Sequence, residues 1–208
     1  MKTYPKIDYW NNGYFGEPCI AFDKLDGSNL RFSWSNKRGW YKFGTRNTMI
    51  DFSTPLYGEA ISIFLNKYGE DLDKVFRTKY PKCVNFVVFC EFLGENSFAG
   101  LHQEGDVMDV VLFDVNMYNK GFLSPYEFLE NFGHLDIPKV VYEGDYTEEL
   151  VEEVKLNNWG LKEGVIVKGV YGREIWMVKL KTLEWLTKVK DKFGKKYLMD
   201  EVKDSYEV

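Results

Sequence analysis

The chain has 208 residues, 45% of them hydrophobic and 17% aromatic, with a formal net charge of −5. That is enough apolar surface for one full core, and it argues against disorder. No apolar run approaches the roughly 20 residues of a membrane span, and the start lacks a signal-peptide hydrophobic region. Cys19, Cys83 and Cys90 lack zinc-type spacing, and His102 and His134 are the only histidines. A reducing cytoplasm fits this usage, and a histidine-rich metal site does not.

The apolar run 19–22 ends at Asp23-Lys24, and residues 29–34 alternate beyond an Asp26-Gly27-Ser28 turn signal. This predicts strand, turn, strand, with Lys24 at the end of the first strand. Residues 40–43 continue the sheet toward Gly44-Thr45-Arg46-Asn47. Helical spacing of apolar residues predicts a helix over 56–68, after Pro55. Segments 85–93 and 107–115 are dense in Val, Phe and Leu and read as buried strands.

Ser124-Pro125-Tyr126-Glu127 is a helix start with Ser as cap and Pro at the first helical position, and the helix runs to about 132. A second, acidic helix spans 147–157, opening at Thr147 with Glu148 and Glu149 in its first turn. Segments 164–170 and 174–180 predict a hairpin around Tyr171-Gly172-Arg173, and 183–197 a basic closing helix. The expectation is one α+β domain over 1–208, antiparallel sheet flanked by helices.

The acidic balance counts against nucleic acid, because phosphate contacts require clustered cations. The charge is uneven, however. Between Lys168 and Lys196 nine basic residues face three acidic ones, a local +6 that leaves −11 elsewhere. A solvated helix face and a phosphate-facing surface are both compatible with that run.

Lys24 is a candidate nucleophile. A neutral amine attacks well, but an ordinary lysine, with a pKa of about 10.4, is protonated at neutral pH and needs burial, nearby cations or a metal. Attack on a nucleotide's α-phosphate would give a phosphoramidate and release pyrophosphate. Gly27 lets backbone approach a ligand closely. Lys179 and Lys181 flank Leu180 and point to one face of a strand, which favours an anion between them. Glu91 and Glu163 are the candidate holders of a hydrated Mg²⁺. Taken alone, Glu163 reads as an exposed turn residue, an aromatic placed like Phe113 is more often core, and Cys90 reads as a small buried hydrophobe; an ordinary loop arginine is the lesser alternative for Arg46.

In this order the strings resemble the motifs of the covalent nucleotidyltransferases, which comprise ATP-dependent DNA and RNA ligases and messenger-RNA capping enzymes. Lys24-Leu25-Asp26-Gly27 resembles motif I, whose lysine carries the nucleotide; Asp23, Asp26 and Gly27 accompany it at the nucleotide. Arg46 resembles the motif Ia arginine, which binds phosphate and the attacking strand. Glu91 is similar to the motif III glutamate, a ribose or metal-water contact, and Phe113 to the base-stacking aromatic of motif IIIa. Glu163-Gly164-Val165-Ile166-Val167-Lys168 resembles motif IV, and Lys179-Leu180-Lys181 motif V. Asn29, five beyond Lys24, is the residue usual in the RNA ligase 2 branch; Asp26 departs from the His frequent there.

The resemblance implies an ATP-dependent polynucleotide ligase, of RNA by preference, working through a lysyl-AMP on Lys24 with Mg²⁺ or Mn²⁺. It implies an adenylation-domain fold and RNA ends or nicks as partners. A GTP-using capping-type guanylyltransferase and a non-catalytic nucleic-acid-binding relative are the alternatives. Only 27 residues follow Lys181, so the expectation is no OB-fold or helical appendage. Substrate would then be engaged by this domain, its basic tail or a separate partner.

Overall fold

The structure is a computed structural model that describes residues 1–94 and 105–193. His102 and the expected helical residues 194–197 lie outside the described residues. In chain order the elements are β1 (Asp8–Tyr9), a 3₁₀ turn (Asn12–Tyr14), β2 (Pro18–Asp23), β3 (Ser28–Ser35), β4 (Gly39–Thr45), β5 (Met49–Ile50) and α1 (Tyr57–Lys79). There follow β6 (Asn85–Leu93), β7 (Asp109–Met117), β8 (Gly121–Phe122), α2 (Pro125–Phe132), β9 (Val140–Asp145), α3 (Glu148–Lys155), β10 (Gly164–Tyr171), β11 (Glu174–Lys181) and α4 (Leu183–Phe193). Two compact units result, one from Met1–Pro5 and Gly27–Ile137, the other from Lys6–Asp26 and the chain from Pro138 onward.

The first unit is a six-stranded sheet in the order β5-β4-β3-β6-β7-β8. Alternation along β3 and β6 sends Leu30, Phe32, Trp34, Phe86, Val88, Cys90 and Phe92 to one buried face. Helix α1 covers that face: Phe64 stacks on Phe32 with centroids 3.7 Å apart, and Phe76 on Phe86 at 3.9 Å. Trp34 Nε1 donates to Asp73 on the same helix at 2.7 Å. The helix runs eleven residues past the expected end at Tyr68 because the apolar spacing continues through Leu72 and Phe76. Gly69 interrupts the pattern without breaking the backbone. Lys67 ties the helix to the strands, pairing with Asp109 at 2.7 Å and also with Asp136.

Strand β7 is displaced two residues from the expected 107–115, and Val107 is exposed. Its ladder with β6 slips: Phe89 pairs Asp114 but Cys90 pairs Leu112, which leaves Phe113 as the extra residue of a β-bulge. A bulge re-aims side chains locally. Helix α2 begins as expected, with the Ser124 hydroxyl accepting from the Glu127 amide at 3.1 Å.

The second unit is a five-stranded sheet in the order β1-β11-β10-β2-β9, antiparallel except for β1 against β11. Cys19, Ala21, Val165, Val167, Trp176, Val178 and Leu180 form one face and pack with Tyr146 and with Leu150, Val151 and Val154 of α3. Thr147 caps α3 by accepting from the Leu150 amide. The β10–β11 register, Tyr171 opposite Glu174, leaves a two-residue turn with Gly172 at positive φ. Among the described residues no helix is long and apolar enough to cross a membrane.

Candidate active site

In the second unit, β2 ends at Asp23, and the Lys24 amide donates to Gly164 O at 2.9 Å. On the far side of the same glycine, the Thr182 amide donates to Glu163 O at 3.0 Å. Glu163 is thus fixed where the end of β2, the start of β10 and the end of β11 meet. Its carboxylate is 2% exposed and takes Lys24 Nζ on one oxygen at 2.7 Å and Lys181 Nζ on the other at 3.1 Å. The expectation of an exposed turn glutamate is corrected here. A buried carboxylate demands opposite charge, and two ammonium groups supply it.

Gly164 makes the junction close. A Cβ there would lie 2.0 Å from Leu180 O and 2.8 Å from the Lys181 Cα, so only glycine lets β10 and β11 approach with Glu163 between them and Lys24. Lys181 is buried, and its ammonium sits 3.8 Å from the centre of the Trp185 ring. Trp185 reaches that place because Thr182 opens α4, its hydroxyl accepting from the Trp185 amide at 3.1 Å.

Lys179 lies two residues back along β11, on the same face as Lys181, as the alternation requires. Its ammonium rests 3.7 Å from the centre of the Tyr9 ring. Lys168, the last residue of the motif IV string, faces the same side of the sheet. It is buried, with its ammonium over Phe22. One face of this sheet therefore carries Lys168, Lys179 and Lys181, with Lys24 at its strand end and Glu163 as the carboxylate paired within the group. Desolvated ammonium groups held on aromatic faces are a ready surface for an anion.

Asp23 lies beside this group without joining its ion pairs. Its Oδ1 is buried with no hydrogen-bond partner among the described residues. Burial raises its pKa above the ordinary carboxylate value, Glu163 adds to the shift, and Lys162 and Lys139 work against it.

In the first unit, the sheet face turned away from α1 carries Asn29 and Glu91, while Arg46 lies on a turn and Gly27 just ahead of β3; Asp26 falls in the second unit, half-buried. Asn29 on β3 stands directly opposite Glu91 on β6, and both are half-buried. Gly27 has a reason that the sequence did not show: a Cβ there would meet Phe92 O at 2.4 Å and Glu91 Cγ at 3.0 Å. Its close approach is to β6 itself. Phe113 is half-buried rather than sealed in the core. Arg46 is exposed on the turn that follows β4. That turn is braced from beneath by the buried Arg31, whose Nε donates to Thr45 O at 2.7 Å.

The sequence profile of the RNA ligase family matches residues 17–185. The chain belongs to the RNA ligase family. No curated protein matches its sequence. Among solved structures, an archaeal ATP-dependent RNA ligase superposes with a TM-score of 0.68 at 19% identity, over 98% of this chain and 56% of that one. A Naegleria gruberi RNA ligase with PPi gives 0.65 at 17% identity, over 92% and 58%. Another structure of that ligase, with AMP and Mn, gives 0.63 at 20% identity, over 90% and 60%. These likenesses show the fold alone, an α+β fold shared with these RNA ligases. The chain spans between a half and two thirds of the length of these structures.

For this RNA ligase family member, the donor set fits a polyanionic nucleotide better than a caged metal. Among the described residues no group of three or more His, Cys, Asp or Glu could hold a metal ion. Glu163 has an ammonium on each oxygen, which does not suit direct ligation. A small divalent cation held largely by phosphate oxygens and water needs no protein cage. All three cysteines are buried and free, and burial pushes the Cys19 thiol up to about 12 and Cys90 well above its ordinary value. They are packing residues.

Sequence reasoning missed Trp185, Tyr9 and the role of Lys168. Lys168 had a readable signal, a charged residue in a Val/Ile run. Trp185 and Tyr9 had none, because both act through pairings that no local pattern encodes.

Proposed function

We propose that this protein is an ATP-dependent RNA ligase in which Lys24 is the nucleophile, and that the matched region works as its adenylyltransferase domain. The observation that carries the reading is the buried Glu163 carboxylate bridging Lys24 and Lys181 on a face that also holds Lys168 and Lys179. Glu163 aims the Lys24 side chain, and Lys179 and Lys181 receive the phosphates. Once the ammonium is released from Glu163 and loses its proton, the amine attacks the α-phosphorus of ATP. A P–N bond forms, the α–β bridge breaks, and pyrophosphate carries away the electron pair. The adenylyl group then passes to the 5′-phosphate of an RNA end, and a 3′-hydroxyl displaces AMP to seal the strand.

The reading assigns phosphate and strand contact to Arg46, base stacking to Phe113, and nucleotide contacts to Asn29, Asp26 and Gly27. Positioning and fixed charge account for most of such catalysis. A divalent cation, Mg²⁺ or Mn²⁺, supplies charge neutralisation on the phosphates, with water held by Glu91. The cofactors of the archaeal and Naegleria ligases support this choice: complexes of the latter contain ATP or AMP with Mn.

The test is incubation with ATP labelled at the α-phosphate and a divalent metal, then a denaturing gel, with GTP in parallel. A label from ATP on the wild type, absent from Lys24→Ala, is expected. A label from GTP alone would move the protein to capping-type chemistry. No label from either, with RNA still bound, would make it a binding protein.

A further inference from the structure

Residues ahead of the family match take part in the first unit. Met1–Pro5 belongs to it by contacts, although β1 and the segment that follows belong to the other. The buried Arg31, which holds the Arg46 turn through Thr45, also donates from Nη1 to Met1 O at 3.1 Å and Lys2 O at 3.2 Å. Gly44 keeps the same turn tight, since a Cβ there would meet Thr48 O at 2.8 Å. This N-terminal strap then sets Tyr4 into the sheet face that bears Phe113.

Tyr4 is 6% exposed, and its hydroxyl donates to Asp114 Oδ2 at 2.8 Å. Its ring meets Phe113 edge-on, with centroids 5.0 Å apart and planes at 85°. The same ring packs edge-on against Phe89 and Phe122. The bulge of β7 places Phe113 and Asp114 within reach of one residue, where a regular strand would turn them to opposite faces. Burial is the main reason the Tyr4 phenol is held well above its ordinary pKa; Asp114 and then Glu91 add to it, and Arg46 opposes. Tyr4 thus lies within electrostatic range of two residues of the same candidate set.

We infer that Tyr4 is a positioning residue for Phe113, locking the ring that stacks on the nucleotide base, and that the strap makes residues 1–5 part of the nucleotide site. This rests on the reading of Phe113 as the base-stacking aromatic. An aromatic platform stacks well only when its plane is fixed, and an edge-on partner with a hydrogen-bonded hydroxyl fixes it. The strap also gives Arg31 two jobs, since it anchors both the strap and the turn that carries Arg46.

The experiment measures lysyl-AMP formation against ATP concentration for wild type, Tyr4→Ala, Tyr4→Leu and Tyr4→Phe. It also measures competition by ribose 5-triphosphate, which has the phosphates and no base. Tyr4→Ala and Tyr4→Leu are expected to raise KM for ATP about three- to tenfold, the value of one aromatic edge contact. The maximal rate should stay within about twofold, and the inhibition constant of ribose 5-triphosphate should not move. Tyr4→Phe, which keeps the ring, should restore most of the affinity. In a Phe113→Ala background Tyr4→Leu should add nothing, because the two act as one unit.

Equal KM values across the series in a wild type that labels would overturn this inference alone. So would a parallel rise for ATP and ribose 5-triphosphate, which is what general loosening gives. Tyr4→Leu fills the volume and keeps the comparison alive if the Ala variant does not fold. No label on wild type would overturn the inference together with the ligase reading.

Discussion

Replacing Glu163 by Gln keeps the side chain's shape and removes a negative charge shared by two ammonium groups. Lys181 suffers most, because it is 4% exposed and would be left as a buried cation without its carboxylate. Lys24, at 22%, can turn toward water. Removing one partner of a buried pair costs about 3–5 kcal/mol, and the partial freedom of Lys24 places this case near about 3 kcal/mol. The Trp185 face at 3.8 Å is present in both proteins and keeps the Lys181 ammonium in place without replacing the lost charge. For a chain of this size, about 3 kcal/mol lowers the melting midpoint by about 6–12 °C. Thermal unfolding followed by tryptophan fluorescence reads the loss directly. Inorganic tripolyphosphate supplies a second readout: the variant presents the same ammonium groups with one negative charge fewer, so its midpoint should rise more with added tripolyphosphate than the wild type's. Midpoints within about 2 °C of each other, with equal response to tripolyphosphate, would refute the claim that Glu163 neutralises a cationic site.

Gly164→Ala should cost at least about 3 kcal/mol, because the new methyl meets the backbone of β11 and not a flexible side chain; a urea midpoint unchanged from wild type would contradict the close approach of β10 and β11. Asp23→Asn should stabilise the protein near neutral pH by about 1 kcal/mol, since it removes a partly buried charge with an unpartnered oxygen. The sign follows from the raised pKa. The folded carboxyl holds its proton more tightly than the unfolded one, so wild-type stability falls as pH rises from the unfolded value through the folded one. Denaturation of both proteins should therefore coincide below about pH 3 and diverge above the carboxylate range; a difference that appears only in acid would reverse the assignment.

Much of this arrangement was legible in the chain because its signals are local. Segment 85–93 has the same bounds in sequence and structure, and Ser124 caps α2 as its spacing requires. The hairpin of β10 and β11 follows from two apolar runs about a glycine turn. What escaped was non-local or weakly patterned. Strand β9 ends in Glu143-Gly144-Asp145 at a sheet edge and offers little apolar alternation. Helix α1 was cut short at Gly69, where propensity alone says stop and tertiary packing on the sheet overrides it. At the site, Lys24, Glu163 and Lys181 were all visible in their strings. That one carboxylate binds both lysines was not, because it depends on a register set by three strands distant in sequence.

The Lys24 amide rests on the Gly164 carbonyl, 140 residues further along the chain. During synthesis Lys24 therefore leaves the ribosome long before its strand has a neighbour. Segment Gly27–Ile137 is continuous and can collapse first, while the stretch that carries Lys24 waits for its neighbours β9 and β10. At about 5–20 residues per second that wait lasts on the order of ten seconds. Lys24 thus spends its own translation without the ion pair that fixes it in the finished fold, and that pair forms only when Glu163 arrives.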